Sequence, residues 1–131
     1  FRTKGEMLVN CTNQHLLARL VFQSTSCGRF ARFGYTHCGR CLPCLVRRSA
    51  ILRWGRTDQT SYKYVDLSPV QDFDDVRSVL YAIHKAEQSG VQQWAGSALN
   101  QIQLGDTIPY ANVAKRGLDE LRNLFEKAGV L

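Results

Sequence analysis

The sequence predicts a mainly α-helical chain of 131 residues, with a small four-cysteine metal-binding segment followed by a helical tail. Two observations predict the helices: side chains that cap helix starts, and apolar residues that recur every three or four positions. A third observation predicts the metal segment, because all five cysteines fall between positions 11 and 44. The length suits one compact domain, and no apolar run reaches the roughly 18 residues of a membrane span.

The first two helices are predicted from their caps. Thr3 and Glu6 have the spacing of a capping box, so a helix is expected from Lys4 through Val9. Asn13 can cap a second helix. The apolar stripe of that second helix contains His15, Leu16, Leu17, Leu20 and Val21.

A third helix is predicted over residues 45–54, with Gly55 as a left-handed stop. Arg47 falls on the apolar side of this helix, where a charge is costly unless it is paired. We therefore expect Arg47 either to bind an anion or to form a structural ion pair. The other basic residues of this region are expected to be solvated: Arg48, Arg53 and Arg56.

The helical tail begins with residues 61–65, whose weak alternation favours a short strand or an extended arm. Ser68 and Pro69 make a good helix start, so a helix is expected over residues 69–88. Two more helices are expected over residues 91–102 and 110–128. The expected inward residues are Phe73, Val76, Leu80 and Ile83 in the first of these helices, Val91, Trp94, Ala98 and Ile102 in the second, and Ala114, Leu118, Leu121, Phe125 and Ala128 in the third.

Charge divides the chain into two parts. Residues 1–57 hold ten bases and one acid, a net charge of +9, whereas residues 58–131 hold seven bases and ten acids, a net charge of −3. We therefore distinguish a basic metal-binding segment, residues 1–57, from a helical C-terminal extension, residues 58–131. Nine of the ten bases are arginine, which favours bidentate recognition of phosphate or carboxylate. Such a surface suits a nucleotide, a nucleic acid or an acidic protein, or serves solubility.

Four cysteines follow the pattern C-x10-C-x2-C-x2-C: Cys27, Cys38, Cys41 and Cys44. An odd cysteine total and the lack of a visible secretory signal argue against a disulfide scaffold and favour the cytoplasm. Tight Cys-x2-Cys steps turn successive thiolates toward one ion, and a fourth thiolate completes a tetrahedron, for which Zn²⁺ is the usual ion. An iron–sulfur cluster and free or disulfide-bonded thiols are the alternatives.

A site with four protein ligands is closed, so the zinc is expected to be structural rather than catalytic. Two further residues, one outside the cluster and one beside it, are expected to have no ligand role. Cys11 is expected to be a small buried hydrophobe, and His37 is expected to be a bystander beside Cys38.

The residues around the cysteines resemble a known motif. Ser26-Cys27, followed by Cys38-Gly39-Arg40-Cys41-Leu42-Pro43-Cys44-Leu45-Val46-Arg47, resembles the zinc motif of the QueC family of 7-cyano-7-deazaguanine synthases, S-C … C-G-x-C-x-x-C-L-x-R. Thr3-Lys4-Gly5-Glu6 resembles the T-K-x-E stretch ahead of that motif. The resemblance covers about residues 2–56. The doubled Arg47-Arg48 and the long helical tail are similar to QatC, the QueC-like component of Qat anti-phage systems.

The resemblance implies that this chain is the C-terminal portion of an α/β adenine nucleotide alpha-hydrolase-like fold (an ATP pyrophosphatase) whose sheet core is absent. In that family ATP adenylates a carboxylate of a 7-deazaguanine-type nucleobase for attack by an amine. The resemblance assigns Cys27, Cys38, Cys41 and Cys44 as ligands of structural Zn²⁺. It assigns Lys4 and Arg47 as residues of the substrate pocket, and it assigns no catalytic residue to this chain.

The family's ATP-binding loop, S-G-G-x-D-S, does not occur in this sequence, and the chain starts at Phe1 without an initiator Met. We therefore expect an inactive fragment, with ATP and Mg²⁺ used only by the full-length enzyme in deazapurine synthesis or anti-phage defence. Two other functions stay open. One is a self-standing zinc module that binds nucleic acid through its arginines, and the other is a scaffold whose basic face docks an acidic partner. For the enzyme, protein partners from a defence operon are also expected.

Overall fold

The computed structural model describes residues 1–68, 75–100 and 107–131, the side chains of 97–100 excepted. Within these ranges the chain is helical and forms no β-strand; its β pairing there is one parallel bridge between His37 and Tyr62. The mainly α-helical prediction is therefore confirmed. The helices are α1 (Lys4–Val9), α2 (Gln14–Leu20), α3 (Leu42–Trp54), α4 (Val76–Ser89), α5 (Val91–Asn100) and α6 (Thr107–Lys127).

The N-terminal caps form as predicted. The backbone N–H of Glu6 donates to Thr3 Oγ1 at 3.1 Å, and the N–H of Thr3 donates to Glu6 Oε2 at 2.8 Å, which completes the capping box of α1. In α2 the N–H of Leu16 donates to Asn13 Oδ1 at 2.9 Å. These side chains satisfy helix N–H groups that have no partner within the helix.

Helix α3 begins at Leu42, three residues earlier than predicted. Pro43 occupies its first turn, where a missing N–H costs nothing, so the helix extends back over Cys44. The predicted stop at Gly55 is confirmed, since its φ of 76° is left-handed. The last metal-binding cysteine therefore lies on a rigid helix rather than on a loop.

The helices of the tail form as the sequence predicts, but their bounds and the exposure of one residue differ from the prediction. The first predicted turns of α4, with Phe73, lie outside the described residues, and so do the side chain of Ala98 and all of Ile102. Helix α5 has non-helical backbone angles at Gly96. Trp94 was expected to face inward, yet 39% of it is exposed. Helix α6 starts at Thr107, three residues before the prediction.

One apolar core joins the two predicted parts of the chain. Leu45 of α3 is fully buried, and α3 packs against both α4 and α6. The buried members of the core are Leu45, Leu67, Val76, Val79, Ile83, Leu121, Leu124 and Phe125. Burial of these side chains is the main force that holds the tail against the metal-binding segment.

Helix α2 has no buried residue. The apolar stripe predicted on it forms, but Leu16 and Leu20 are 45% and 49% exposed. Met7 on the neighbouring helix α1 is likewise 53% exposed. The structure therefore leaves an apolar face on α1 and α2 in contact with solvent.

Candidate metal centre

The four predicted ligands come together in one buried cluster. The Sγ atoms of Cys27, Cys38, Cys41 and Cys44 all lie within 4.8 Å of one another. Each residue is at most 7% exposed, and none forms a disulfide. Two of the sulfur pairs, Cys38 with Cys44 and Cys27 with Cys41, are 3.9 Å apart. The cluster can therefore hold one metal ion.

Local structure places each sulfur. Cys38 and Cys41 lie on either side of a tight turn at Gly39, whose φ is +89°. A Cβ on Gly39 would lie 2.2 Å from the carbonyl oxygen of Tyr64, so a side chain does not fit there. Cys44 is held by the first turn of α3, and Cys27 precedes a short 3-10 turn over Ala31–Phe33.

Backbone N–H groups point at the sulfurs and favour their charged form. Cys27 Sγ accepts from the N–H groups of Arg29 and Cys38, each at 3.3 Å, and Cys38 Sγ accepts from the N–H of Cys41 at 3.3 Å. Burial acts to raise the pKa of Cys27, but hydrogen bonds from the backbone N–H groups of Cys38 and Arg29, together with those from the Cys38 and Cys44 thiols, lower that pKa. Burial raises the pKa of Cys38 and Cys44. A bound divalent cation acts in the opposite direction, since it deprotonates a coordinating thiol.

His37 is buried beside the cluster, with Nδ1 3.9 Å from Cys44 Sγ. It lies outside the group of four sulfurs. Burial and the nearby charge of Arg47 lower the pKa of His37, so the neutral ring is favoured. Cys11 was expected to be buried, but it is partly exposed and lies apart from the cluster.

Residues 61–68 form an extended arm along the metal segment. The N–H of Lys63 donates to the carbonyl of His37 at 2.8 Å, and the N–H of Tyr64 donates to that of Cys38 at 3.1 Å. Arg40, between two of the predicted ligands, is buried and donates to the carbonyls of Asp66 and Ser68 at 2.5 and 2.6 Å. The motif spacing contains no signal for this contact, because the acceptors are backbone oxygens more than 25 residues away.

Arg48 was predicted to be solvated, but that prediction is wrong, because Arg48 reinforces the same contact. It donates to the carbonyls of Gly39 and Val65 at 3.3 and 2.8 Å, and its guanidinium lies 5.0 Å from the ring centroid of Tyr62. Arg53 is also engaged, although 39% of its side chain is exposed, because it pairs with Glu6 and Glu120. Arg40, Arg48 and Arg53 thus serve internal contacts.

Arg47 is buried, as its position on α3 predicted. Its three nitrogens donate to neutral acceptors: Thr60 Oγ1 at 3.0 Å, Ser24 Oγ at 2.9 Å and the carbonyl of Val21 at 2.6 Å. No carboxylate pairs with it among the described residues, so the expected structural ion pair does not form there. Arg47 instead ties the segment before Cys27 to α3.

Lys4 and Arg47 are 43 positions apart in the sequence, yet both line one cavity of about 940 Å³. The cavity lies between α1, α2 and α3, and most of its lining is aliphatic. Ser26, which directly precedes the first cysteine of the cluster, also lines it. The cavity therefore adjoins the metal centre and contains both residues that the sequence resemblance assigned to a pocket.

Comparison with known proteins gives no significant match to a family model, a curated protein or a solved structure. No helix of the described residues has both the length and the apolar character needed to cross a membrane.

Proposed function

We propose that this chain is the zinc-bearing part of a QueC-like, ATP-dependent enzyme that acts on a carboxylate of a nucleobase-like substrate. The observation that carries the proposal is the buried four-cysteine cluster next to a cavity that Lys4 and Arg47 both line. On this proposal the C-terminal helices support the site and other parts of the enzyme supply ATP binding and chemistry.

Zinc is the proposed metal because of the sulfur geometry. Zn–S bonds of about 2.3 Å in a tetrahedron place neighbouring sulfurs about 3.8 Å apart. The two sulfur pairs at 3.9 Å agree with that separation. An iron–sulfur cluster places several iron and sulfide atoms between its cysteines, and sulfurs within 4.8 Å of one another leave little room for them.

The proposed role of the zinc is structural, since four thiolates leave no open position for substrate. One bound ion would join three pieces of backbone: the loop at Cys27, the turn between Cys38 and Cys41, and α3 at Cys44. Arg40 and Arg48 then hold the arm of residues 61–68 to the same turn. The metal would thus set the position of the segment that forms one wall of the cavity.

A metal assay tests the proposal that the four-cysteine cluster binds zinc. The chain, purified without added metal, should contain one zinc per molecule by mass spectrometry. Replacement with Co²⁺ should give the visible absorption of a tetrahedral thiolate site. Cys38→Ser should lose the metal, whereas Cys11→Ser should keep it, because Cys11 lies outside the cluster. Bound iron with acid-labile sulfide would contradict the zinc assignment.

A second assay tests the enzyme assignment. The parent gene should encode an S-G-G-x-D-S loop, and its product should release pyrophosphate from ATP when a 7-deazaguanine carboxylate is present. Arg47→Gln in that protein should raise the KM for the carboxylate. Unchanged kinetics together with a lower melting temperature would assign Arg47 a purely structural role.

Nucleic-acid binding is the second candidate, and the loop after Cys27 is what favours it. Tyr35 is 76% exposed and Arg32 is exposed, so a base could stack there beside a phosphate-binding cation. The engagement of Arg40, Arg47, Arg48 and Arg53 by internal partners counts against a broad cationic face. A steep fall in RNA or DNA affinity with salt, sensitive to Arg32→Ala, would favour this candidate.

A further inference from the structure

His37 holds a nitrogen donor at the edge of the four-cysteine cluster. Its Nδ1 lies 3.9 Å from Cys44 Sγ, which is the separation found within two of the sulfur pairs. Imidazole and thiolate are the ligand types that structural zinc sites combine, in sets such as three cysteines with one histidine. The cluster therefore has a fifth suitable donor beside its four sulfurs.

Contacts on several sides hold the ring of His37 in place. Its centroid lies 5.3 Å from that of Phe30 and 6.0 Å from that of Tyr62, and both rings meet it edge to face. The backbone carbonyl of His37 accepts the N–H of Lys63 at 2.8 Å, which holds the residue against the arm. The residue is 6% exposed. This packing keeps Nδ1 beside the sulfur of Cys44.

The hydrogen bonding of the ring favours a lone pair on Nδ1. Burial of His37 favours the neutral imidazole, which has one N–H donor and one acceptor nitrogen. A hydrogen bond with the backbone of Ser24 acts to raise the pKa of the ring, as a carbonyl acceptor does. Histidines that bind a metal share this arrangement, because they donate their other N–H to a carbonyl or a carboxylate.

We propose that His37 is an alternative ligand of the metal centre, with Nε2–H donated to Ser24 and with Nδ1 able to take the position of Cys44 Sγ. The alternative ligand set is Cys27, His37, Cys38 and Cys41. Exchange of a thiolate for a neutral imidazole removes one negative charge from a buried site, where charge is costly. The inference rests on the proposed metal site and is independent of the enzyme assignment.

Ligand exchange changes what the metal joins together. Among the four cysteines, Cys44 is the one that lies on α3, which begins at Leu42. His37 and the other three cysteines all precede that helix. A centre with His37 as its fourth ligand therefore keeps the ion but releases α3 from it. Because α3 supplies part of the lining of the 940 Å³ cavity, the exchange uncouples that lining from the metal.

The first test compares two cysteine variants of the full chain. Cys44→Ala should retain one zinc per molecule, and Cys41→Ala should lose it, because Cys44 is the sulfur that His37 adjoins. In Co²⁺-loaded Cys44→Ala the thiolate charge-transfer band should fall by about a quarter, since three of four thiolates remain. Addition of His37→Phe to Cys44→Ala should abolish metal binding. The matched control adds His84→Gln instead and should keep the metal, because His84 is exposed and lies 2.9 Å from the Gln88 amide.

NMR of the ring nitrogens tests the same inference in the unaltered protein, so it does not depend on the folding of a variant. A long-range proton–nitrogen correlation spectrum of the zinc-loaded wild type should show His37 protonated on Nε2 and not on Nδ1. In Cys44→Ala loaded with a spin-active cadmium isotope, Nδ1 should couple to the metal. His37→Phe alone should keep the metal through its four thiolates.

The outcomes separate this inference from the proposed metal site. A metal-free wild type overturns both. Zinc in the wild type together with equal losses from Cys44→Ala and Cys41→Ala overturns the inference and leaves the zinc site standing. A proton on Nδ1 in the wild type also overturns it, because His37 would then donate to the Cys44 thiolate instead of replacing it. Retention of the metal by Cys44→Ala with His37→Phe has the same consequence, since another donor would be acting.

Discussion

Arg53 Nη1 lies 3.1 Å from Glu120 Oε1 and joins α3 to α6. The same buried carboxylate accepts the hydroxyl of Thr3 and the N–H of Gly5, the latter at 3.2 Å, so it also holds the start of α1. A Cβ on Gly5 would lie 2.5 Å from Arg53 Cδ and 2.8 Å from the Glu120 carboxyl, which shows how closely the three helices approach. One side chain of the tail thus anchors the helix that carries Lys4.

Glu120→Ala should lower the free energy of unfolding by about 2–3 kcal/mol, because it leaves Thr3 and Gly5 with buried donors and removes the partner of Arg53. Urea unfolding of the zinc-loaded chain measures the change. Asp119→Ala is the matched control at the adjacent position, since Asp119 pairs with Lys115 at the surface. This control variant should lower the free energy of unfolding by less than about 0.5 kcal/mol. Equal losses in the two variants would contradict the structural role of Glu120.

Gly39→Ala should destabilise the metal segment by about 2–4 kcal/mol. Its φ of +89° is unfavourable for alanine, and the added Cβ would collide with the Tyr64 carbonyl. Gly28→Ala is the control in the same segment, because a Cβ there meets no atom within 4 Å. Zinc affinity in competition with a chromogenic chelator is the measurement. Equal zinc affinity of the two variants would contradict the close approach of the arm to Gly39.

Removal of the metal should unfold residues 25–41 before the helices that share the apolar core, α3, α4 and α6. The buried apolar cluster of this segment consists of its cysteines, so a bound ion would supply much of its stability. Hydrogen exchange with and without chelator should show lost protection around Gly39 and in the arm at Lys63 and Tyr64. Protection at Leu124 and Phe125 should persist longer. Unchanged exchange near Gly39 after the zinc has left would refute the metal's structural role.

Glu6 should titrate below the usual glutamate range in the folded chain. The hydrogen bond from Arg116, at 2.6 Å, is the largest cause of its lowered pKa, followed by the Thr3 N–H. Because folding lowers this pKa, the stabilisation is present above the pKa of the unfolded chain and is lost as pH falls through the folded pKa. Carboxyl NMR measures the pKa directly, and Arg116→Gln should raise it. The same pKa in both proteins would rule out the Arg116 contact as its cause.

Local signals in the sequence predicted local structure. The Thr3 and Asn13 caps, the Gly55 stop and the cysteine cluster all formed, because each depends on residues a few positions apart or on the strong ligand chemistry of thiolates. The excess of basic residues at positions 1–57 predicted a basic surface, but several of these arginines bind internal partners instead. Periodicity placed Arg47 on the apolar side of α3, but it could not identify neutral acceptors as its partners.

The amino-acid sequence specifies the helices, their caps and the set of sulfurs that can bind a metal, since these follow from backbone geometry and side-chain chemistry at short range. The packing of the folded chain sets the partners of the arginines, buries Glu120 against Thr3, and brings Lys4 and Arg47 to one cavity. The contact of Thr3 with Glu120 and the shared cavity of Lys4 and Arg47 join residues 117 and 43 positions apart. They depend on how α1, α3 and α6 pack, and no periodicity in the sequence encodes that packing.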